Sequence, residues 1–307
     1  MATVLGQDAR MGRVWVVGSL NVDRRWRVDR HPHVGETVVG EVLPSLPGGK
    51  GLNQAVAAAR MGADVALVGA VGDDGDGTWL LDVATAEGID VDTVEVVADT
   101  PTGSALIVVA ADGANTVAVA PGANGSACFD DVPVGPGDVV VAQLEVPVDT
   151  VSSALEAARS LGARSVLNPS PLGPSAERVD ALVTGADVLV VNQHEAAELL
   201  GEQVVSRPDR ALEQAARLRR PGQAVVITLG AAGLVACDAD GQHTVAGRKV
   251  HAIDTTGAGD CFLGTLAAGL AEDRNLHDVL LRANRAAALS TTRAGTVPAM
   301  PTLAELS

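Results

Sequence analysis

Val188-Leu189-Val190-Val191, an amphipathic stretch over 210–219, the stop Pro221-Gly222 and then Val225-Val226-Ile227-Thr228 form the passage that decides the fold. Both apolar runs are short, rich in β-branched residues and free of polar alternation. A strand covered on both faces reads this way, because neither side of its pleat meets water. With an amphipathic helix between them, the two runs make a βαβ unit whose strands lie parallel. Outward from this unit the same kind of run recurs at 14–17, 65–68, 139–142 and 165–167, and further helical stretches fill 53–61 and 150–161, closed by Gly62 and Gly162. The expected fold class is α/β, a doubly wound, mostly parallel sheet flanked by helices.

Two stretches, about 24–46 and 99–120, break this rhythm. They hold strand-like segments at 37–43, 104–109 and 116–120, with a turn at Asp112-Gly113 and no long helix. Their stronger alternation suits a half-exposed sheet, so they are expected to meet as one small antiparallel β-sheet that acts as a lid. The chain shows no repeat, low-complexity tract or Pro/Ser-rich linker, and 1–307 reads as a single domain with the lid inside it.

Composition narrows the function. The chain has 307 residues, 47% hydrophobic and 20% charged, ample for a large core, and 22 Lys plus Arg against 38 Asp plus Glu give a net charge of -16. Such a charge repels nucleic-acid phosphates and anionic lipid. The longest uncharged apolar run, 261–271, is far short of the roughly 20 residues of a membrane span. No nucleic acid and no membrane are therefore expected as partners. Residues 1–11 carry Gln7, Asp8 and Arg10 without an apolar segment and do not read as a secretory signal. Cys128, Cys237 and Cys261 are unclustered and odd in number, which points to reduced thiols and a cytoplasmic location.

The chemistry concentrates in Asp254-Thr255-Thr256-Gly257-Ala258-Gly259-Asp260, a loop that feeds an apolar helical run. Small residues at 257–259 allow main-chain N–H groups at a helix start to face an anion. Asp260 falls in the first turn, beside that anion, where a carboxylate serves as base toward an attacking hydroxyl. An ordinary Gly-rich turn with a first-turn Asp is the alternative. No G-x-x-x-x-G-K-[ST] loop is present, and Gly257-Ala258-Gly259 lacks a third glycine because Phe262 takes that place.

A second glycine cluster, Pro47-Gly48-Gly49-Lys50-Gly51-Leu52-Asn53-Gln54-Ala55, also opens a helix. Lys50 is one of two lysines in the chain, and Asn53 adds an amide one turn inside. Either this is a tight turn before a helix or its glycines let backbone approach a small polar ligand. Asn21-Val22-Asp23, just past the first strand, sits where ligands of open α/β sheets bind, though a plain turn reads the same.

Gly48-Gly49-Lys50-Gly51 with Asn53-Gln54-Ala55, and the stretch 254–260, resemble the two signatures of the PfkB carbohydrate kinases. The resemblance spans 14–301 and includes Asn21-Val22-Asp23, Gly35-Glu36-Thr37, Gly122-Ala123-Asn124, Gln143-Leu144-Glu145, Asn192 with Glu195, and Thr228-Leu229-Gly230. Its G-G-K-G-x-N-Q-A form is most similar to the ribose-phosphorylating members. The resemblance implies ATP-dependent phosphorylation of the primary 5-hydroxyl of D-ribose. Asn21, Asp23, Gly49, Lys50, Asn53, Glu145 and Asp260 would bind the sugar; Asp260 would be the base, and Gly257, Ala258 and Gly259 the anion hole. It places Asn192, Thr228, Gly230, Gly233, Gly259 and Asn284 at the nucleotide, although Asn284 is equally a polar residue on a helix face. Glu195 would act on Mg²⁺ through water. Asp254, Thr256, Ser290, Arg293 and Gly295 would hold a monovalent cation, K⁺, with Ala299 where the family usually has a Ser hydroxyl. Partners implied are sugar, ATP and a second copy docked through the lid.

Leu52 replaces a small residue of the family pattern, and Arg24-Arg25-Trp26 replace a more apolar stretch; both are expected near the sugar, where they would crowd the pocket or admit another acceptor. Tyr is absent and Phe occurs twice, so adenine would lie among aliphatic chains and glycines. Another pentose, deoxyribose or a nucleoside are alternative acceptors. A non-catalytic sugar-binding regulator has no need of Asp260, and a dinucleotide-dependent dehydrogenase lacks its fingerprint after 14–17.

Overall fold

The computed structural model describes residues 11–172 and 176–306; the reading of 1–11 as lacking a signal lies, Met11 apart, outside them. In chain order the strands are β1 Val14–Val17, β2 Asn21–Val28, β3 Gly40–Gly48, β4 Val65–Gly72, β5 Val94–Val97, β6 Gly103–Ala110 and β7 Asn115–Ala120. They continue with β8 Val139–Gln143, β9 Arg164–Asn168, β10 Val188–Asn192, β11 Ala224–Thr228, β12 Gly233–Cys237 and β13 Gln242–Ala246. The helices are α1 Lys50–Arg60, α2 Gly75–Ala86, α3 Val148–Leu161, α4 Ala176–Gly185, α5 Gln193–Leu200, α6 Pro208–Leu218, α7 Ala258–Ala271 and α8 Leu276–Ser290.

Nine strands form one sheet in the order β13-β12-β11-β10-β9-β8-β1-β4-β5, parallel from β11 to β5. The unbroken apolar runs have a direct cause. Val14 and Val16 point into a core layer with α1, α2, α7 and α8, while Trp15 and Val17 of the same strand point into a layer with α3, α4, α5 and α6. Both faces of the pleat are dry, and each buried Val contributes on the order of 1.5 kcal/mol or more. Helix ends follow local chemistry: Gly162 closes α3 in the left-handed conformation, and Asn192 opens α5 with a capping box to Glu195.

The antiparallel strands β12 and β13 that extend one edge were not anticipated. The small sheet runs β3-β2-β6-β7, and it is mixed rather than antiparallel, because β2 and β6 pair in parallel from Asn21↔Gly103 to Val28↔Ala110. Its strand expected at 37–43 lies later, at Gly40–Gly48, and all but meets α1, which begins at Lys50. The sequence pattern allows 21–23 as a ligand-facing pair or a turn and gives no strand signal at 24–28; Arg24, Arg25 and Arg27 are held by the ladder to β6 in spite of their charge.

Strand order reverses at β1: the chain builds toward β4 and β5 on one side and toward β8 and the later strands on the other. Ligands of open α/β sheets bind outside the carboxyl ends at such a point. Here Ser19 follows β1, Glu145 follows β8, and the small sheet leaves β1 over this same end.

Candidate functional site

The base of the site is a charge cluster across the strand-order reversal. The Ser19 hydroxyl donates to Glu145 Oε2, which also accepts the main-chain N–H of Lys50 at 3.2 Å. That N–H is free to do so because Lys50 is the first residue of α1 and first-turn donors have no helical partner. Gly49 makes the entry possible: its φ is +90°, and an added Cβ would lie 2.6 Å from the Ser19 carbonyl oxygen. Burial pulls the Lys50 ammonium down, but the charges of Asp260, Glu145 and Glu195 overcome it and hold its pKa above the ordinary value.

Asp260 lies in the first turn of α7, whose N-cap is Gly257 in the left-handed conformation. Its carboxylate is buried and bracketed by two amides: Asn53 Nδ2 donates to Oδ2 at 3.0 Å and Gln54 Nε2 to Oδ1 at 2.9 Å. Asn53 Oδ1 is buried with no hydrogen-bond partner among the described residues, an acceptor that a ligand hydroxyl would satisfy. The Ala258 N–H reaches the Thr255 carbonyl at 3.3 Å, a long bond that an anion competes with readily. Next in sequence, burial pushes the Cys261 thiol up to about 12, so it is no nucleophile near neutrality.

Asn21 and Asp23 begin β2 and face the same side as Ala105 on β6. Asn124 Nδ2 donates to Asn21 Oδ1 at 2.8 Å and orients it. Burial pushes the Asp23 carboxyl up to about 6, the Glu145 charge adds to this, Arg25 works against it, and Asp260 adds a further push. At Gly48 an added Cβ would fall 2.5 Å from that carboxylate. Arg25 lies along the same face of β2, while Arg24 turns away to pair with Asp76. The Leu52 side chain is fully buried in the core layer with α7 rather than lining the expected pocket, although its main-chain N–H bonds the Ser19 carbonyl at 3.0 Å beside the sugar-binding set.

A cavity of about 140 Å³ gathers Lys50, Asn192, Glu195, Thr228, Gly257, Gly259 and Asp260. It adjoins a second of about 520 Å³, which shares Thr228, Gly259 and Phe262 and is lined further by Gly230, Gly233 and Asn284. The larger chamber is within the usual size of a ligand pocket. Its remaining walls include aliphatic and glycine positions such as Ala231, Gly247, Val250 and Ala287, together with the polar Arg248, Lys249, Thr255 and Thr291. The aliphatic and glycine walls fit the expectation for adenine, while nothing in the sequence pattern singles out Arg248 and Lys249. Asn284 does more than line the wall, since its Nδ2 donates to the Ala246 carbonyl at 3.0 Å and ties α8 to β13. A cleft of about 740 Å³ at the opposite, amino-terminal edge of the strands holds none of the expected site residues.

The Glu195 carboxylate accepts the Asn192 main-chain N–H at 2.9 Å as part of the helix cap, so it has a structural duty beside any role at a metal. Its position on the small cavity leaves it able to receive metal-bound water. Asp254 accepts from the N–H groups of Thr256 at 3.0 Å and Gly295 at 2.9 Å. Burial opposes its charge, yet these bonds hold its pKa below the ordinary range. The Ile253 and Asp254 N–H groups bond the Thr291 carbonyl, and Arg293 N–H bonds the Ser290 carbonyl, which brings the 290–295 turn beside Asp254. Ala299 is buried in a short 3₁₀ turn and offers no side-chain oxygen.

No helix among the described residues is long and apolar enough to cross a membrane. Residues 11–303 match the pfkB family carbohydrate kinase. Among curated relatives, a ribokinase of Bacillus subtilis (strain 168) is 36% identical, covering 96% of this chain and 98% of its own, and a ribokinase of Mus musculus is 35% identical, covering 96% and 94%. Among solved structures, Arabidopsis thaliana ribokinase complexed with ribose and ATP superposes with a TM-score of 0.85 at 26% identity, covering 96% of this chain and 97% of that one. Cryptococcus neoformans ribokinase in complex with ADP gives 0.83 at 31%, covering 96% and 98%. With its two signatures meeting at one carboxylate, the chain belongs to the pfkB family of carbohydrate kinases.

Proposed function

We propose that the chain transfers the terminal phosphoryl group of ATP to the primary 5-hydroxyl of D-ribose, giving ribose 5-phosphate and ADP. The observation that carries this reading is the place of Asp260, at the start of α7, where the α1 glycine cluster and the nucleotide-sized cavity meet. Similarity over almost the full length to ribokinases selects ribose among sugars.

In this reading Asn21, Asp23, Gly49, Lys50, Asn53 and Glu145 hold the ring hydroxyls as paired donors and acceptors. Asp260 accepts the proton of the 5-hydroxyl as its oxygen attacks phosphorus. Main-chain N–H groups of Gly257, Ala258 and Gly259 take up charge on the moving group, aided by the dipole of α7. Asn192, Thr228, Gly230, Gly233, Gly259 and Asn284 border the nucleotide, and Glu195 positions water for its Mg²⁺, which neutralises phosphate charge when bound. Asp254, Thr256, Ser290, Arg293 and Gly295 hold a K⁺ that shapes the anion hole.

The small sheet has the character of a lid that also serves a homodimer. Val117 and Val119 pair in register with Ile107 and Ala105, on the face that carries Asp23, and are 55% and 52% exposed. A second copy docked there removes them from water, and sedimentation of the V117E variant as a monomer tests it. Cys128, Cys237 and Cys261 are all free, which suits a reducing cytoplasm.

ADP release measured with a panel of pentoses, deoxyribose, hexoses and nucleosides tests the acceptor. Ribose is expected to give the highest kcat/KM, and Asp260→Asn to lower kcat by about 10² to 10⁴ while ATP binding persists. A variant keeping more than about half of wild-type turnover removes the proposed base.

A further inference from the structure

We propose that Gln54 and Gln143 form a two-amide relay that positions the Asp260 carboxylate; the inference rests on the reading of Asp260 as base. Gln54, Gln143 and Asp260 come from α1, β8 and α7, far apart in sequence, and make one directed chain. Gln143 Nε2 donates to Gln54 Oε1 at 2.5 Å, and Gln54 Nε2 donates to Asp260 Oδ1 at 2.9 Å. Both glutamines are 0% exposed, in the buried zone between α1, β8 and α7.

A buried amide is costly unless its polar atoms are used. Gln143 Oε1 has no partner among the described residues, so this amide carries an unmet cost at a position where an unbranched apolar chain would pack. Its one hydrogen bond goes to Gln54, and that bond fixes which way the Gln54 amide faces. Turned over, Gln54 would set its oxygen against a carboxylate; a donor on Oε1 from Gln143 holds it with nitrogen toward Asp260. The space for Gln143 is made at the end of β1, where a Cβ on Gly18 would lie 2.1 Å from Gln143 Oε1.

The consequence is electrostatic. A hydrogen bond donated to a carboxylate favours its charged form, and in a dry site the effect is large. With Asn53 on Oδ2 and Gln54 on Oδ1, each oxygen keeps a lone pair, so the carboxylate is held still without losing its capacity to accept a proton. The other charges that act here are Lys50 on α1 and Asp23 on β2, with Glu145 after β8 and Glu195 on α5 acting on Lys50 from its other side. None of these is altered in the variants below.

The test reads kcat against pH at saturating sugar and ATP, so that titration of Asp23 in sugar binding does not enter. Gln54→Met is expected to move the acidic limb up by about one to two pH units, the loss of one hydrogen bond to a charged group. Gln143→Met is expected to move it in the same direction by less. The double variant is expected to match Gln54→Met alone, because Gln143 then has nothing to orient. Calorimetric titration with ATP verifies folding; should Gln54→Met fail it, Gln143→Met, which keeps every contact to Asp260, carries the comparison with wild type. An unmoved limb in the folded variants, with Asp260→Asn inactive, overturns the relay and leaves the base in place. Additive shifts from the two glutamines also overturn it, in favour of independent packing roles. High turnover in Asp260→Asn overturns the base and the relay together.

Discussion

Asp23→Asn exposes a conflict between stability and binding that can be worked through in numbers. The folded protein raises the Asp23 pKa from 3.8 to about 6, chiefly by burial. Protonation is therefore easier in the folded than in the unfolded chain, and the folded state loses stability as pH rises between these two values. By linkage the loss is under about 1 kcal/mol at pH 4, about 2 at pH 5 and about 3 at pH 8, where it levels off. Asn keeps the shape and avoids the charge, so the ligand-free variant should gain roughly 2 to 3 kcal/mol at pH 8. With an unfolding entropy of about 0.6 kcal/mol/K for a chain of this size, Tm should rise by about 3 to 5 °C at pH 8 and by little at pH 4. Function should move the other way. A sugar hydroxyl bound by a carboxylate is worth roughly 1.5 to 3 kcal/mol, so KM for ribose should rise about 10- to 150-fold in the variant. In the wild type the same KM should be flat above about pH 7 and climb as pH falls below 6, a dependence absent from the variant. Scanning calorimetry at pH 4 and 8, paired with initial rates across the same range, gives both readings. A variant Tm at pH 8 no higher than wild type, or a wild-type KM for ribose constant from pH 8 to pH 5, would refute the reasoning.

Leu52→Ala should be destabilised by about 2 to 5 kcal/mol in a denaturant titration with KM for ribose unchanged, since this side chain fills the core and not the pocket. For Asn53→Ala, steady-state kinetics should show KM for ribose raised roughly 5- to 150-fold, kcat lowered because Oδ2 of Asp260 loses its donor, and KM for ATP unaltered. Activity should rise with K⁺ over Na⁺ at constant ionic strength, and Ala299→Ser should lower the K⁺ needed; rates flat from no added K⁺ to saturation in both proteins return Asp254 to a purely structural duty.

How far the sequence could be read depended on whether a residue's role is local. The runs at 14–17 and 225–228 announce buried parallel strands because both faces of each are dry, and no other residue need be known. Strand β2 gives no such signal. Its Arg24, Arg25 and Arg27 break the apolar pattern, and pairing with β3 and β6 supplies what propensity does not. The edge strands β12 and β13 hide similarly, as Gly233 and the turn residues at 238–241 read as loop. Within the site, Asp260, Lys50 and Asn53 stand out as polar residues beside glycines. Gln54 and Gln143 fall within the family-like stretches but show no role there, because a glutamine on a helix or at a strand end is ordinary until the fold sets two of them in line with a carboxylate. Leu52 failed in the opposite sense: one residue from a binding amide, it turns by 100° around the helix and enters the core.

The two adjoining cavities meet at Gly259 with Asp260 beyond it, and the groups proposed for the sugar lie on the far side, on β2 and α1. In the proposed reading donor and acceptor meet at Asp260, which takes the proton and leaves the phosphoryl group to pass directly between them. Direct transfer predicts a stereochemical signature: a single in-line displacement, inverting configuration at phosphorus. With an isotopically chiral phosphorothioate analogue of ATP, the product should carry the inverted centre, whereas a relay through a phosphorylated protein residue would take two inversions and return the original hand.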